Sequence, residues 1–279
     1  MAFKPAAIFS FPRSPHMIFY FSATGNTAWA AHIIAQSTSE RLISMSETVE
    51  HHYELAPKEA IGFCIPVHGW RPPSIVLQFV RKLRIANASH HYTYILCTAG
   101  DTTGETHTIL QKELESVGIC CNDWFALLMP ESYVGLPFMD VDNPENEKRK
   151  IKQAEQDLQQ FIATIKQGND RTAGTATHIT HTGRWPKTNS RVLGTLFHKY
   201  LVSDQRFKVT AERCIQCGLC TSVCPVDDII GGKGQVPEWK HNGRCMTCFS
   251  CYHHCPTHAI EFGRQTRKKG QYFMGHKYK

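Results

Sequence analysis

The chain has 279 residues, 42% of them hydrophobic and 20% charged, so it carries enough apolar mass for two packed units and is not a disordered polymer. A formal charge of +7 suits acidic protein partners or anionic cofactors, and no nucleic-acid partner is expected. No stretch approaches the roughly 20 apolar residues of a membrane helix, so no membrane insertion is expected. The opening segment is broken by Pro5, Pro12, Arg13 and Pro15 and reads poorly as a signal peptide, which makes a soluble, cytoplasmic protein the expectation.

From His16 to Gly168, short apolar runs alternate with amphipathic helices. Met17–Ser22 suits a strand buried on both faces, Gly25–Ile34 a helix, and Leu42–Met45 a second strand. Ala60–Val67 is the third strand, followed after Pro72 and Pro73 by a helix. Tyr92–Thr98 is the fourth strand; Glu105–Val117 is a helix whose Ile109, Leu110, Leu114 and Val117 share a face. Trp124–Met129 is the fifth, and a long charged helix over Pro144–Lys166 closes the unit. Five strands alternating with helices predict an α/β domain with a parallel sheet covered on both faces. Outside the C-terminal cysteine runs, Cys64, Cys97, Cys120 and Cys121 lie in apolar segments and are expected to be buried thiols.

The turn after the first strand reads Ser22-Ala23-Thr24-Gly25-Asn26-Thr27 and leads straight into a helix. Hydroxyls and successive amides at a helix N-terminus cradle a phosphate dianion, and glycine permits the tight turn. No lysine stands in the loop, so it is not a nucleotide-hydrolysing P-loop.

Residues 169–204 are rich in Thr, Gly, His and Arg and read as a linker. Within them, Arg191–Val202 has helical apolar spacing at Leu193, Leu196, Phe197, Tyr200 and Leu201, a face expected to pack between domains or, alternatively, to bind a partner.

Residues 205–265 carry two runs of C-x2-C-x2-C-x3-C-P: Cys214, Cys217, Cys220, Cys224 and then Cys245, Cys248, Cys251, Cys255. Three closely spaced thiolates reach three irons of one cubane, and the fourth is carried to the other cluster. The ligand sets are therefore Cys214, Cys217, Cys220 and Cys255 for one [4Fe–4S] cluster, and Cys245, Cys248, Cys251 and Cys224 for the other. Zinc sites use pairs of cysteines or histidines instead. Tyr252, His253 and His254 inside the second run are expected to be solvated. The tail 266–279 is cationic and is expected to be solvated and partly disordered, with docking to an acidic partner as the alternative.

The cysteine segment resembles the bacterial dicluster ferredoxins, which are small α+β domains. On the Ser22–Thr27 loop and its position, residues 17–165 resemble the flavodoxins. That resemblance implies a doubly wound five-stranded sheet of order 2-1-3-4-5, with FMN beyond the strand ends. It also implies two further FMN loops, here Pro66-Val67-His68-Gly69-Trp70 and Thr98-Ala99-Gly100-Asp101-Thr102-Thr103-Gly104, with Trp70 beside the ring and Pro130–Tyr133 on the same edge. The whole chain resembles the flavodoxin–ferredoxin fusion proteins of anaerobes, which implies electron transfer among FMN and two [4Fe–4S] clusters, with redox proteins as partners. Two alternatives stand beside it. One is a flavin-dependent reductase of a quinone or small organic acceptor, in which His68 donates a proton rather than lying at the surface; the other is a ferredoxin whose α/β half only docks.

Overall fold

A computed structural model describes residues 17–56, 59–168 and 178–276. The proline-broken opening segment up to His16, the first part of the linker (169–177) and the last three residues lie outside them.

Strands and helices are numbered in chain order. The apolar runs Met17–Tyr20 (β1), Arg41–Ser44 (β2), Ile61–Pro66 (β4), Thr93–Ala99 (β6) and Asp123–Leu128 (β7) form a parallel sheet in the order β2-β1-β4-β6-β7. His52–Tyr53 (β3) and Arg84–Ile85 (β5) pair separately in a short parallel ladder. Alternation along the strands sends Phe19, Phe63 and Ile95 to one face, where α2 (Ser74–Lys82) and α3 (Thr106–Glu115) cover them. Ile18, Cys64 and Leu96 go to the other, under α1 (Asn26–Thr38) and α4 (Pro144–Gln167). Asn143 starts α4 by accepting from the Asn146 amide at 2.8 Å, with Pro144 in the first turn. Because all strands run parallel, the loops after β1, β4, β6 and β7 open on one edge. This is the predicted flavodoxin-like architecture.

Three local features differ from the sequence reading. A sixth strand, β8 (His178–Ile179), pairs parallel to β7 inside the expected linker, with the His178 ring stacked on Trp124 at 3.3 Å. Two residues of strand carry no periodicity to read. Cys64 and Cys97 are buried thiols, but Cys120 is exposed and Cys121 half-buried at the turn before β7. The linker helix runs without a break through α5 (Pro186–Thr188), a π-helical turn (Asn189–Leu193) and α6 (Gly194–Tyr200). Of the five apolar residues expected to pack, only Phe197 is buried; Leu196 is 48% and Tyr200 64% exposed, and Leu193 and Leu201 are also exposed. Instead, the inward face is made by Phe197 with the small residues Ser190 and Gly194, which let the helix approach closely.

The second domain is a small α+β unit. β9 (Phe207–Val209) pairs antiparallel with β12 (Ile260–Phe262), and β10 (Ile229–Ile230) with β11 (Glu238–Trp239). One helical turn follows the middle cysteine of each run: α7 (Leu219–Ser222) and α8 (Ser250–His253). The described part of the cationic tail is folded and not disordered, although Arg267 and Lys268 stay exposed as expected. Up to His276 it folds back across both domains, with Tyr272 only 1% exposed and the Lys269 ammonium donating to the carbonyls of Val134, Leu136 and Met139. Tyr272, Phe273 and Met274 are too few among the cations for composition to announce their packing. Burial of one such aromatic contributes about 1.5–3 kcal/mol.

Far from the loop edge, Tyr94 donates to Glu40 at 2.8 Å, and Gly62 leaves the space that the Tyr94 ring fills. Burial pushes the Glu40 carboxyl up to about 7, with the Tyr94 hydrogen bond opposing it. Because the folded pKa is raised, the folded state holds an extra proton between the unfolded value near 4.5 and about 7. Its stabilising effect is complete below that window and is lost as pH rises through it. Glu40→Gln is therefore expected to raise the melting temperature at pH 8 relative to wild type, by the equivalent of ~3 kcal/mol or less, and to change it little at pH 4.5. Calorimetry of both proteins across this range checks it.

Candidate functional site

The loop Ser22–Thr27 ends β1 and starts α1, with Gly25 at φ +96° as the helix cap. No side chain caps this helix and its first turn holds no acidic residue, so the leading amides are free for an anion. Thr27 shares a hydrogen bond with Thr98 at 2.7 Å, tying the loop to the end of β6. The Thr24 hydroxyl lies 3.3 Å from Ser132. This cradle fits a phosphate held by neutral groups.

The loop after β4 turns tightly at Gly69 (φ +58°) and Trp70 (φ +59°), closed by the His68 amide donating to the Arg71 carbonyl at 2.9 Å. The linker helix pins this turn. Ser190 donates to the Trp70 carbonyl at 2.8 Å and accepts from the Glu105 amide at 2.7 Å. His198 bonds the His68 carbonyl at 2.8 Å, and Arg71 donates to the Ser190 carbonyl at 2.9 Å. Trp70 donates to Thr102 at 3.0 Å, joining the second loop to the third. In the third loop the Gly100 carbonyl accepts from Lys150 at 2.8 Å, and the half-buried Glu131 carboxylate packs against Gly100. Burial raises the Glu131 pKa despite amide bonds from Tyr133 and Ser132.

These loops enclose a cleft of about 220 Å³. It brings together Ser22, Thr24, Asn26, Thr27, Pro66, Val67, His68, Gly69, Trp70, Thr98, Ala99, Gly100 and Asp101. Gly25 and Gly104 stand behind the lining, Gly25 against Met274 and Gly104 against Trp70. Pro130–Tyr133 also line it, and among the described residues no Lys or Arg does. His68 is not a surface histidine. Both its ring nitrogens are shut off from water, its ring packs edge-on against Phe197 (5.2 Å) and His198 (4.8 Å), and burial lowers its pKa to about 3, keeping it neutral.

None of the twelve cysteines forms a disulfide. Cys214, Cys217, Cys220 and Cys255 line one cavity with Ile260 and Pro237. Cys224 instead lies close enough to Cys248 and Cys251 to act electrostatically on both. Among the described residues no three His, Cys, Asp or Glu side chains converge on a point that would hold a single ion; a cubane presents four separate irons, so its ligands need not. Burial pushes the Cys248 thiol up to about 11, and iron supplies the charge that makes such a thiol ionise. The two cysteine runs are folded alike. Left-handed backbone recurs at Gln216 and Thr247, at Gly218 and Phe249, and at Asp227 and His258. The Asp228 and Ala259 amides donate to Cys224 and Cys255 at 3.3 and 3.2 Å. Amide bonds to sulfur of this kind set cluster potential.

Sequence reasoning missed where the two sites meet. Cys248 lines the cleft of the strand-end loops itself, with Met246, Thr247 and the linker's Phe197. His253, expected in solvent, is 2% exposed; its Nε2 lies 2.7 Å from the Ser132 carbonyl and its Nδ1 accepts from the Tyr272 amide. Tyr252 is buried too, its hydroxyl donating to the tail carbonyls of Lys269 and Gly270, while His254 is half-buried on Phe273. No periodicity links residues so far apart in sequence.

Comparison with known proteins agrees with this geometry. A flavodoxin domain model matches residues 17–123 and a 4Fe-4S dicluster domain model matches 206–256. No curated protein matches the chain. Among solved structures, a flavoprotein of Bacteroides uniformis is 20% identical over 41% of this chain and 90% of its own (TM-score 0.33). Megasphaera elsdenii flavodoxin is 19% identical over 50% and 96% (TM-score 0.32), and Desulfovibrio gigas rubredoxin oxygen:oxidoreductase 16% over 56% and 37% (TM-score 0.34). The two domain matches define a flavin and iron–sulfur redox protein of electron transport. It is a flavodoxin–ferredoxin fusion. No helix among the described residues is long and apolar enough to cross a membrane.

A methyl group on Gly194 would strike the Gly69 carbonyl and Arg71. Gly194→Ala is expected to lift the linker helix off the loop after β4 and to cost about 1–3 kcal/mol in urea unfolding. Iron content should stay unchanged; equal stability would show that the helix adapts.

Proposed function

We propose that the chain relays electrons between one FMN and two [4Fe–4S] clusters in anaerobic or low-potential redox metabolism. Cys245, Cys248, Cys251 and Cys224 hold the inner cluster, and Cys214, Cys217, Cys220 and Cys255 hold the outer one. The observation that carries this reading is Cys248, a cluster cysteine lying in the wall of the flavin-loop cleft. FMN accepts one or two electrons, whereas each cluster passes one at a time. The amides and hydroxyls of Ser22–Thr27 bind the phosphate. Val67, His68, Gly69, Trp70, Asp101 and Tyr133 flank the ring position, and Phe197 and Met246 exclude water between flavin and inner cluster. Cys217 is exposed, so the outer cluster is the one that meets a partner. That partner is an acidic redox protein, attracted by exposed cations such as Arg264, Arg267 and Lys268.

Anaerobically prepared protein should contain about one FMN and eight irons per chain, with flavin and cluster absorbance bleaching in linked steps during reductive titration. Eight irons without flavin, even after incubation with FMN, would leave a ferredoxin with a docking domain. Reversing Arg264, Arg267 and Lys268 to Glu should slow reduction by an acidic ferredoxin at low salt and have no effect at high salt, read by stopped-flow absorbance. Equal rates at both would sink the acidic-partner assignment.

A further inference from the structure

The phosphate cradle is not finished by its own domain. Three groups from the second domain and tail close on it. The Ser250 hydroxyl, one residue before Cys251, lies 3.0 Å from the Ala23 carbonyl. The Met274 amide donates to the Thr24 carbonyl at 2.8 Å. The buried Tyr272 hydroxyl donates to Asn26 Oδ1 at 2.5 Å, while Asn26 Nδ2 donates to the Pro130 carbonyl at 3.0 Å.

These contacts have a directional consequence. In a trans peptide the N–H points opposite to the C=O. Ser250 draws the Ala23 carbonyl outward, so the Thr24 N–H faces the other way. Met274 does the same to the Thr24 carbonyl and hence to the Gly25 N–H. Among the described residues neither amide donates to a backbone partner. Asn26, held at both ends of its side chain, cannot turn its own peptide. A carbonyl swung into the loop would repel a dianion, and among the described residues no Lys or Arg lines the cleft to offset it. The fit is close: a Cβ on Gly25 would stand 2.9 Å from that of Met274. The tail itself is anchored on the cluster-bearing turn α8, through the Tyr272 amide to His253 at 3.1 Å and the stacking of Phe273 on His254 at 4.2 Å.

We propose that Ser250, Tyr272 and Met274 are positioning residues of the FMN phosphate site, so that the ferredoxin domain and tail supply its outer half. This rests on the FMN reading above. It makes phosphate recognition, and not ring binding, the property that depends on the tail.

The test uses the full-length chain with clusters reconstituted anaerobically, titrated with FMN and with riboflavin by quenching of flavin fluorescence. Tyr272→Phe removes only the hydroxyl that clamps Asn26, and Met274→Pro removes the amide hydrogen that holds Thr24 together with the methionine side chain, whose own part is read from Met274→Ala. Tyr272→Phe and Met274→Pro are each expected to weaken FMN about tenfold, with riboflavin affinity and iron content unchanged. Equal losses for FMN and riboflavin would overturn the proposal, because the tail would then act by general packing. Unchanged FMN affinity in both variants would overturn it too. Wild-type protein that binds neither flavin would remove the FMN reading itself, an outcome distinct from either.

Discussion

Between two cysteines of the second run stands a serine almost sealed from water. The Ser250 hydroxyl lies within hydrogen-bond distance of the Ala23 carbonyl in the first domain and, at 3.1 Å, of the Val223 carbonyl in its own. One shared proton at this point needs dry surroundings, and both domains provide them. Val226 and Met246 of the ferredoxin half pack into the core beneath α2 and α3, while Val134 of the flavin half packs into the ferredoxin core. Pulling the halves apart would expose these side chains at about 25 cal/mol per Å². The cleft, the linker helix and the folded-back tail all depend on that joint staying closed.

Within the ferredoxin half, the two runs impose the same left-handed turns, on non-glycine residues everywhere but at Gly218, each such residue costing of order 1–3 kcal/mol. Such strain persists where amides must be aimed at sulfur. Sameness ends at the surface. Ile215 in the first run is 62% exposed, whereas Met246 at the matching place is 3% exposed and lines the cleft of the first domain's loops. The repeat therefore fixes how each set of thiols is held, and the neighbouring domain decides which set is covered.

Much of this was legible in the sequence for physical reasons. Strands buried on both faces must be continuously apolar, a phosphate loop must join strand to helix, and cubane ligands must be spaced as these cysteines are. The failures share a cause as well. His253 and Tyr272 bury themselves against residues more than a hundred positions away, with Ser132 and Asn26 as partners. The linker helix misleads through its π turn, which inserts a residue into the helical repeat and rotates Leu196 and Tyr200 outward while Ser190, Gly194 and Phe197 turn in. Rules for charge runs and apolar stripes weigh neighbours in the chain. Here the decisive neighbours are in space.

The bond between Tyr272 and Asn26 spans 246 positions of sequence. During synthesis the amino-terminal sheet emerges first and folds as a unit while the rest is still being made. The loop Ser22–Thr27 then waits for a partner that is made 246 positions after Asn26. The nascent flavin domain consequently passes through a stage with native strands and an open rim. Its cleft acquires its finished wall only once the segment that carries Tyr272 and Met274 has been made and has folded back.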